Sequence, residues 1–148
     1  MALVIDIADA VAGLLNGDDA DFSQDFEAQR RVRPSFELAD LADLQVTVVP
    51  KGFEASIASR SLSQYDVQVD VGIQKKLAAG TDEDAEVATM CGLVEEVADF
   101  LKGKRLEGTG WSASWVRPAV NEPVYSTEHL AEKRVFTSVL TLTYRVMR

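Results

Sequence analysis

The side chains able to do chemistry are few and scattered. The one histidine, His129, lies in a polar segment with Glu128 and Glu132. Acid–base catalysis needs a group held within reach of its substrate, and a lone histidine among surface acids is more often solvated than catalytic. The one cysteine, Cys91, falls on the apolar stripe of a helical pattern, where it reads as a small core hydrophobe and not an activated thiolate. Gly110-Trp111-Ser112-Ala113-Ser114 approaches a nucleophile elbow, but Ser114 stands where the closing glycine belongs, and strand-like residues follow where a helix should.

Metal and phosphate chemistry fare no better. Zinc needs clustered Cys and His, and one of each cannot supply it. Asp18, Asp19 and Asp21 resemble part of a calcium loop without its regular acid spacing or its closing Glu, so they read as a solvated acidic loop. Asp66 and Asp70 share one strand face but lie ~13 Å apart at ~3.3 Å per residue, too far to chelate one ion. No glycine-rich dinucleotide fingerprint follows a strand, no Walker sequence occurs, and Lys102, Lys104 and Arg105 sit at the wrong end of a helix for phosphate. The residues predict no catalytic group, no cofactor and no metal.

The elements that carry these residues are more legible than any chemistry. Tyr65 to Gln74 alternates strictly, apolar at odd positions and polar or Gly at even ones, which predicts a strand with one buried and one wet face. A helix follows, with Thr81 as cap and Asp84 three residues on, acids in its first turn, and an apolar stripe of Val87, Met90, Cys91, Val94, Val97, Ala98 and Leu101. Gly103 and Gly108 mark its exit. Leu3, Ile7, Val11, Leu14 and Leu15 predict an earlier helix of about four turns, stopped at Asn16-Gly17, where glycine would take the left-handed cap conformation. Phe26 to Arg33 reads as an edge strand cut by Pro34. Glu37 to Leu44 is left open between loop and helical turn. Gln45–Val49 and Phe53–Ala58 read as two strands joined by a Pro50-Lys51-Gly52 turn, making a three-strand antiparallel meander with the strand from Tyr65. Trp111 to Arg117 alternates, Ser126 to Arg134 suggests a short helical turn, and Val135 to Arg148 predicts a long final strand. The expected fold class is α+β, a mainly antiparallel sheet (meander plus long C-terminal strand) packed against two main helices, in one domain over residues 1–148.

Composition limits what such a domain can do. The 148 residues carry 24 Asp and Glu against 15 Lys and Arg, a net charge of −9. Such an excess argues against a general nucleic-acid binder, which must neutralise phosphates. A single cysteine allows no intrachain disulfide and fits a reducing compartment. The N-terminal run meets Asp6 too early for a signal peptide, and no apolar stretch reaches the ~18 residues that span a bilayer. Arg30, Arg31 and Arg33 on the edge strand read either as charge that blocks unwanted strand pairing or as a contact with an acidic neighbouring subunit. Trp111 and Trp115, on one strand face, read as core, or as interface anchors if exposed.

Four stretches carry a family resemblance. They are Phe26-Glu27-Ala28-Gln29-Arg30, Leu44 through Gly52, Tyr65 through Lys76, and Phe136-Thr137-Ser138-Val139-Leu140-Thr141-Leu142-Thr143-Tyr144-Arg145. With the order of elements, they make the chain resemble the tail terminator or tail-completion (minor tail) proteins of tailed bacteriophages. The resemblance implies a non-enzymatic virion protein, made in the host bacterial cytoplasm. Copies would form a ring, a hexamer, that caps the tail tube, meets the head connector or neck protein, and lets DNA pass without binding it or any membrane. The surfaces expected to join copies are the Arg30–Arg33 strand, the loop around Asp18–Asp21 with Asp18 and Asp19, and the excursion from Glu107 to Arg134 with Trp111 and Trp115. Two other readings stay open: another phage neck, head-closure or tail component, and a small α+β ligand-binding domain.

Overall fold

The computed structural model describes residues 2–33, 40–78, 80 and 82–148. Helix α1 (Leu3–Leu15) is followed by strand β1 (Ala28–Arg30), a 3-10 turn (Asp40–Ala42), strands β2 (Gln45–Ile57) and β3 (Ser63–Lys76), and helix α2 (Glu83–Leu101). Strands β4 (Leu106–Gly108) and β5 (Trp111–Trp115), helix α3 (Thr127–Lys133) and strand β6 (Val135–Met147) complete the chain. The strands form one sheet in the order β1-β2-β3-β6-β5-β4. Among the described residues only β1 runs parallel to its neighbour, and the other pairs are antiparallel. The α+β class expected from the pattern is the class observed.

Alternation decides which side of the sheet is buried. Val67, Val69, Val71 and Ile73 of β3 lie opposite Tyr144, Leu142, Leu140 and Ser138 of β6, and all are buried. Val46 and Val48 extend this face across β2, and Ala113 extends it onto β5. Helix α1 covers it with Leu3, Ile7, Val11 and Leu15, and α2 covers it with Met90, Leu93, Val94, Val97 and Leu101. The i, i+3, i+4 spacing of these residues gives each helix one stripe to bury.

Several local expectations are corrected. The anticipated meander is a two-strand hairpin. β2 runs unbroken through Pro50-Lys51-Gly52, with a register shift between Pro50 and Gly52 that makes a bulge and no turn. Pro50 can lie in a strand because its missing N–H faces away from β3. Ser63 and Arg148 exchange both backbone hydrogen bonds, at 2.7 and 2.9 Å, so odd-numbered β3 residues bond β6 and even-numbered ones bond β2. Pro50 lies opposite Val69 and so points its backbone outward, where proline is tolerated. The strand expected over Phe26–Arg33 shrinks to Ala28–Arg30. Helix α1 is capped by Asn16 in a right-handed conformation, and Gly17 is not in the left-handed region. Asn16 instead brackets Ala28, accepting its N–H at 2.7 Å and donating to its carbonyl at 2.8 Å, which pins the start of β1. Thr81 lies outside the described residues, as do residues 37–39 of the segment Glu37–Leu44, whose remainder holds the 3-10 turn Asp40–Ala42; Asp82 caps α2 by accepting from the Ala85 N–H at 3.3 Å. β4 was not anticipated.

Leu142 is fully buried at the centre of the apolar face. Leu142→Ala is expected to lower unfolding free energy by ~2–5 kcal/mol in urea titrations, since the sheet and two helices cannot both collapse onto the cavity.

Candidate interaction site

The second face of the sheet is polar, and its residues pair across strands in steps. Asp66 lies directly opposite Arg145, whose Nε donates to Oδ1 at 2.8 Å and Nη2 to Oδ2 at 3.1 Å. Arg117 reaches the same carboxylate at 3.4 Å. The Arg145 guanidinium, by hydrogen bonding and then by charge, holds the Asp66 carboxyl below its ordinary value against the opposing effect of burial, and the charge of Arg117 adds to it. One step along, the Thr141 hydroxyl donates to Asp70 at 2.6 Å, with the Lys51 amine 3.9 Å from the same oxygen. A further step along, Gln74 donates to the Thr137 hydroxyl at 3.4 Å, and His129 Nδ1 lies 3.0 Å from that oxygen. These are cross-strand pairs that hold register, not a convergent reactive centre.

The edge of β6 beyond this face is closed by the irregular chain between Trp115 and α3. The carbonyls of Thr143, Thr141 and Thr137 accept from the backbone N–H groups of Val116, Val120 and Ser126 at 3.2, 3.0 and 2.9 Å. The Val139 carbonyl accepts from the Asn121 side chain at 2.8 Å. The Glu107–Arg134 excursion is thus largely stitched onto the sheet it leaves.

The anticipated interface residues fall in different places. Arg30 ends the edge strand β1 and bonds Asp9 of α1 at 2.8 Å. Arg31 touches Gln29 at 3.4 Å, and Arg33 is exposed. Asp18 and Asp19 are exposed and border an open groove between α1 and Lys104, Arg105 and Glu107. Trp111 and Trp115 are half-buried and pack against the core. The Trp111 indole covers Gly108 so closely that a Cβ there would collide with it. His129 is half-buried on α3, and the Ser112 hydroxyl accepts from Arg105 on a regular strand. Burial, with the nearby Glu95 charge, pushes the Cys91 thiol up, disfavouring a thiolate.

The most exposed apolar surface was not anticipated. Beyond the bulge, β2 and the turn that follows it form an exposed arm along the rim of the sheet, while β3 stays paired with β6 as far as Gln64. Its apolar face carries Phe53, 60% exposed, and Ile57, 86% exposed, with Leu62 in the turn. A groove of about 230 Å³ at its base is lined by Leu3, Val4, Phe53, Tyr65, Val67 and Arg148. Alternation at Phe53, Ala55 and Ile57 was readable as a strand, but no residue there signals how little lies above it.

No protein-family model matches this sequence, and no curated protein matches it. One solved structure, whose name states no activity, is similar in fold at 16% identity, with a TM-score of 0.51 over 97% of this chain and 93% of that one.

The Asp66 pair yields a pH prediction. A carboxyl depressed by folding stabilises the protein above its unfolded pKa, ~3.9, and loses that contribution as pH falls through the lower folded value. Asp66→Asn is therefore expected to lower the urea midpoint at pH 7. The gap to the unmodified chain should narrow as pH falls below about 4 and close only beneath the lower folded value, where both chains carry a neutral side chain at position 66.

Proposed function

We propose that this chain is a non-enzymatic structural protein of a tailed bacteriophage, a tail terminator that works as a ring of copies. The ring caps the tail tube, stops its growth, and presents a surface to the head connector or neck protein. The observation that carries this reading is the rim of β2 beyond the bulge, which holds Phe53 and Ile57 in solvent on a strand paired with β3. Exposed apolar side chains along a strand edge are the mark of a surface shaped for another protein chain. The resemblance in the four sequence stretches supplies the identity of the assembly. The α+β sheet with its long closing strand agrees with the fold that resemblance implies.

Charge supports the same reading. Helix α2 exposes Asp84, Glu95 and Asp99 in a chain of net charge −9. Acidic walls would let DNA move past without trapping its phosphates. Basic Arg30, Arg31 and Arg33 at the β1 edge and the acids beside α1 offer opposite signs for a head-to-tail contact between neighbours, the kind of contact that closes rings.

Particles made without the gene provide the test. Overlong tails lacking heads, seen by electron microscopy, together with rings of the purified protein on isolated tail tubes, are expected. A chain that forms no rings at high concentration or on tubes, and whose loss leaves tail length unchanged, overturns the reading.

A further inference from the structure

The sheet treats its two long flanks differently. The outward carbonyls of β6 are occupied along the run from Thr137 to Thr143, as described above. The outward edge of β2 is not covered in the same way. Among the described residues β1 pairs only with Val46, Thr47 and Val48, leaving the edge of β2 beyond Pro50 without a strand partner. The hydrogen-bonding phase set at Ser63 and Arg148 fixes which groups lie open. Ser56, Glu54 and Gly52 pair with even-numbered β3 residues and point inward, so Phe53, Ala55 and Ile57 present their N–H and C=O groups outward. An open strand edge beside exposed apolar side chains is a template for another strand.

We propose that this edge binds the same edge of a second copy, antiparallel, about a two-fold axis through Ala55. The register selects this occupant. Centred on Ala55, the pairing places Phe53 opposite Ile57, Ala55 opposite Ala55, and Ile57 opposite Phe53. All three are outward-pointing residues, so each exchanges a pair of backbone hydrogen bonds with its opposite number. Aromatic and β-branched residues facing each other are favourable cross-strand neighbours. Glu54 falls opposite Ser56, so no like charges meet. The segment Gly52–Ser63 carries one acid, Glu54, and one base, Arg60, and is neutral within a chain of net charge −9. The segment therefore adds no net charge repulsion of its own to a contact between two copies. The partner's Ile57 comes to rest beside Phe53, next to the apolar groove lined by Leu3, Val4 and Tyr65. Each copy's β3 and β6 lie on the far side of its own β2, so the pairing joins the two sheets into one continuous sheet across the two-fold axis.

An isologous contact joins two chains, or two rings face to face, and cannot itself close a ring. It deepens the reading of this chain as an assembly subunit without depending on the ring. A chain carrying Cys91→Ala and Ala55→Cys brings two thiols into a directly opposed pair, with Cα atoms about 5.5 Å apart, a separation a disulfide spans. Mild oxidation is expected to convert it to a covalent dimer, while Cys91→Ala alone stays a single chain. In parallel, sedimentation of the protein should show concentration-dependent pairing. Ala55→Pro, which removes an outward N–H and leaves the β2–β3 ladder intact, should raise the concentration needed for pairing by about tenfold or more. A residue-55 thiol that stays reduced and uncross-linked overturns the proposal, as does pairing that Ala55→Pro leaves unchanged. Rings without the cross-link would sink this contact and keep the terminator reading; the cross-link without rings would do the reverse.

Discussion

The antiparallel ladder between β3 and β6 is the constraint on which the rest of the molecule depends. It runs from Gln64 opposite Met147 to Lys76 opposite Val135 without a register shift. Period-two alternation on both strands means that one register serves both faces at once. It stacks Val67, Val69, Val71 and Ile73 beside Tyr144, Leu142 and Leu140 under the helices, and it sets Asp66 against Arg145 and Asp70 against Thr141 on the other side. A slip of one residue would bury the Asp66 and Asp70 carboxylates beneath α1 and α2 and expose the valines. The ion pair contributes mainly by penalising wrong registers, because Arg145 remains close to water and a screened pair contributes little on its own. Burial of the Tyr144 phenol, which pushes its proton affinity up, belongs to the same arrangement: the ring fills the apolar face opposite Trp115.

That ladder also dictates what each edge must do. The phase of its hydrogen bonds turns odd-numbered β6 residues outward, and the chain from Val116 to Ser126 has no regular secondary structure because it is spent on satisfying them. Irregular backbone can follow an edge when side chains such as Asn121 fill the steps that backbone amides miss. On the far side the same phase turns Pro50, Phe53, Ala55 and Ile57 outward. Proline there ends the parallel pairing of β1, and the bulge at Lys51 adds the local twist that bulges impart where the arm begins.

Legibility in the sequence followed the strength of periodicity. The β3 strand, α2 and β6 were readable because ten or more residues repeated one pattern, and the strand faces were assigned correctly; on α2 the stripe omitted Leu93, which is fully buried. Pro50-Lys51-Gly52 was misread because its composition is that of a turn, and only long-range pairing with β3 makes it a bulge. Asn16 was read as a helix stop; its bond to Ala28 depends on a neighbour twelve residues away that local pattern cannot place. β4 has three residues, too few for any period. The polar pairs were invisible for a related reason. Asp66 and Arg145 are separated by 79 positions, and only the register brings them together. The arm was half legible: its alternation showed a strand, while its exposure depends on where α1 begins, with Leu3 and Val4 beside Phe53.

The exposed arm and the acidic body make sense together as parts of one physical compromise. An exposed apolar strand edge invites indiscriminate pairing, and most sheets blunt such edges with charge. Here the charge is displaced to the body: α2 and the loop after α1 carry acids in excess, while Gly52–Ser63 balances Glu54 with Arg60. Long-range repulsion among like-charged bodies disfavours random collisions, and it is screened beyond ~10 Å at moderate salt. Copies that approach along this neutral rim bring no net charge of the segment Gly52–Ser63 into the contact. Displaced charge thereby acts as a filter on orientation, allowing the edge to stay sticky enough to work without making the protein aggregate.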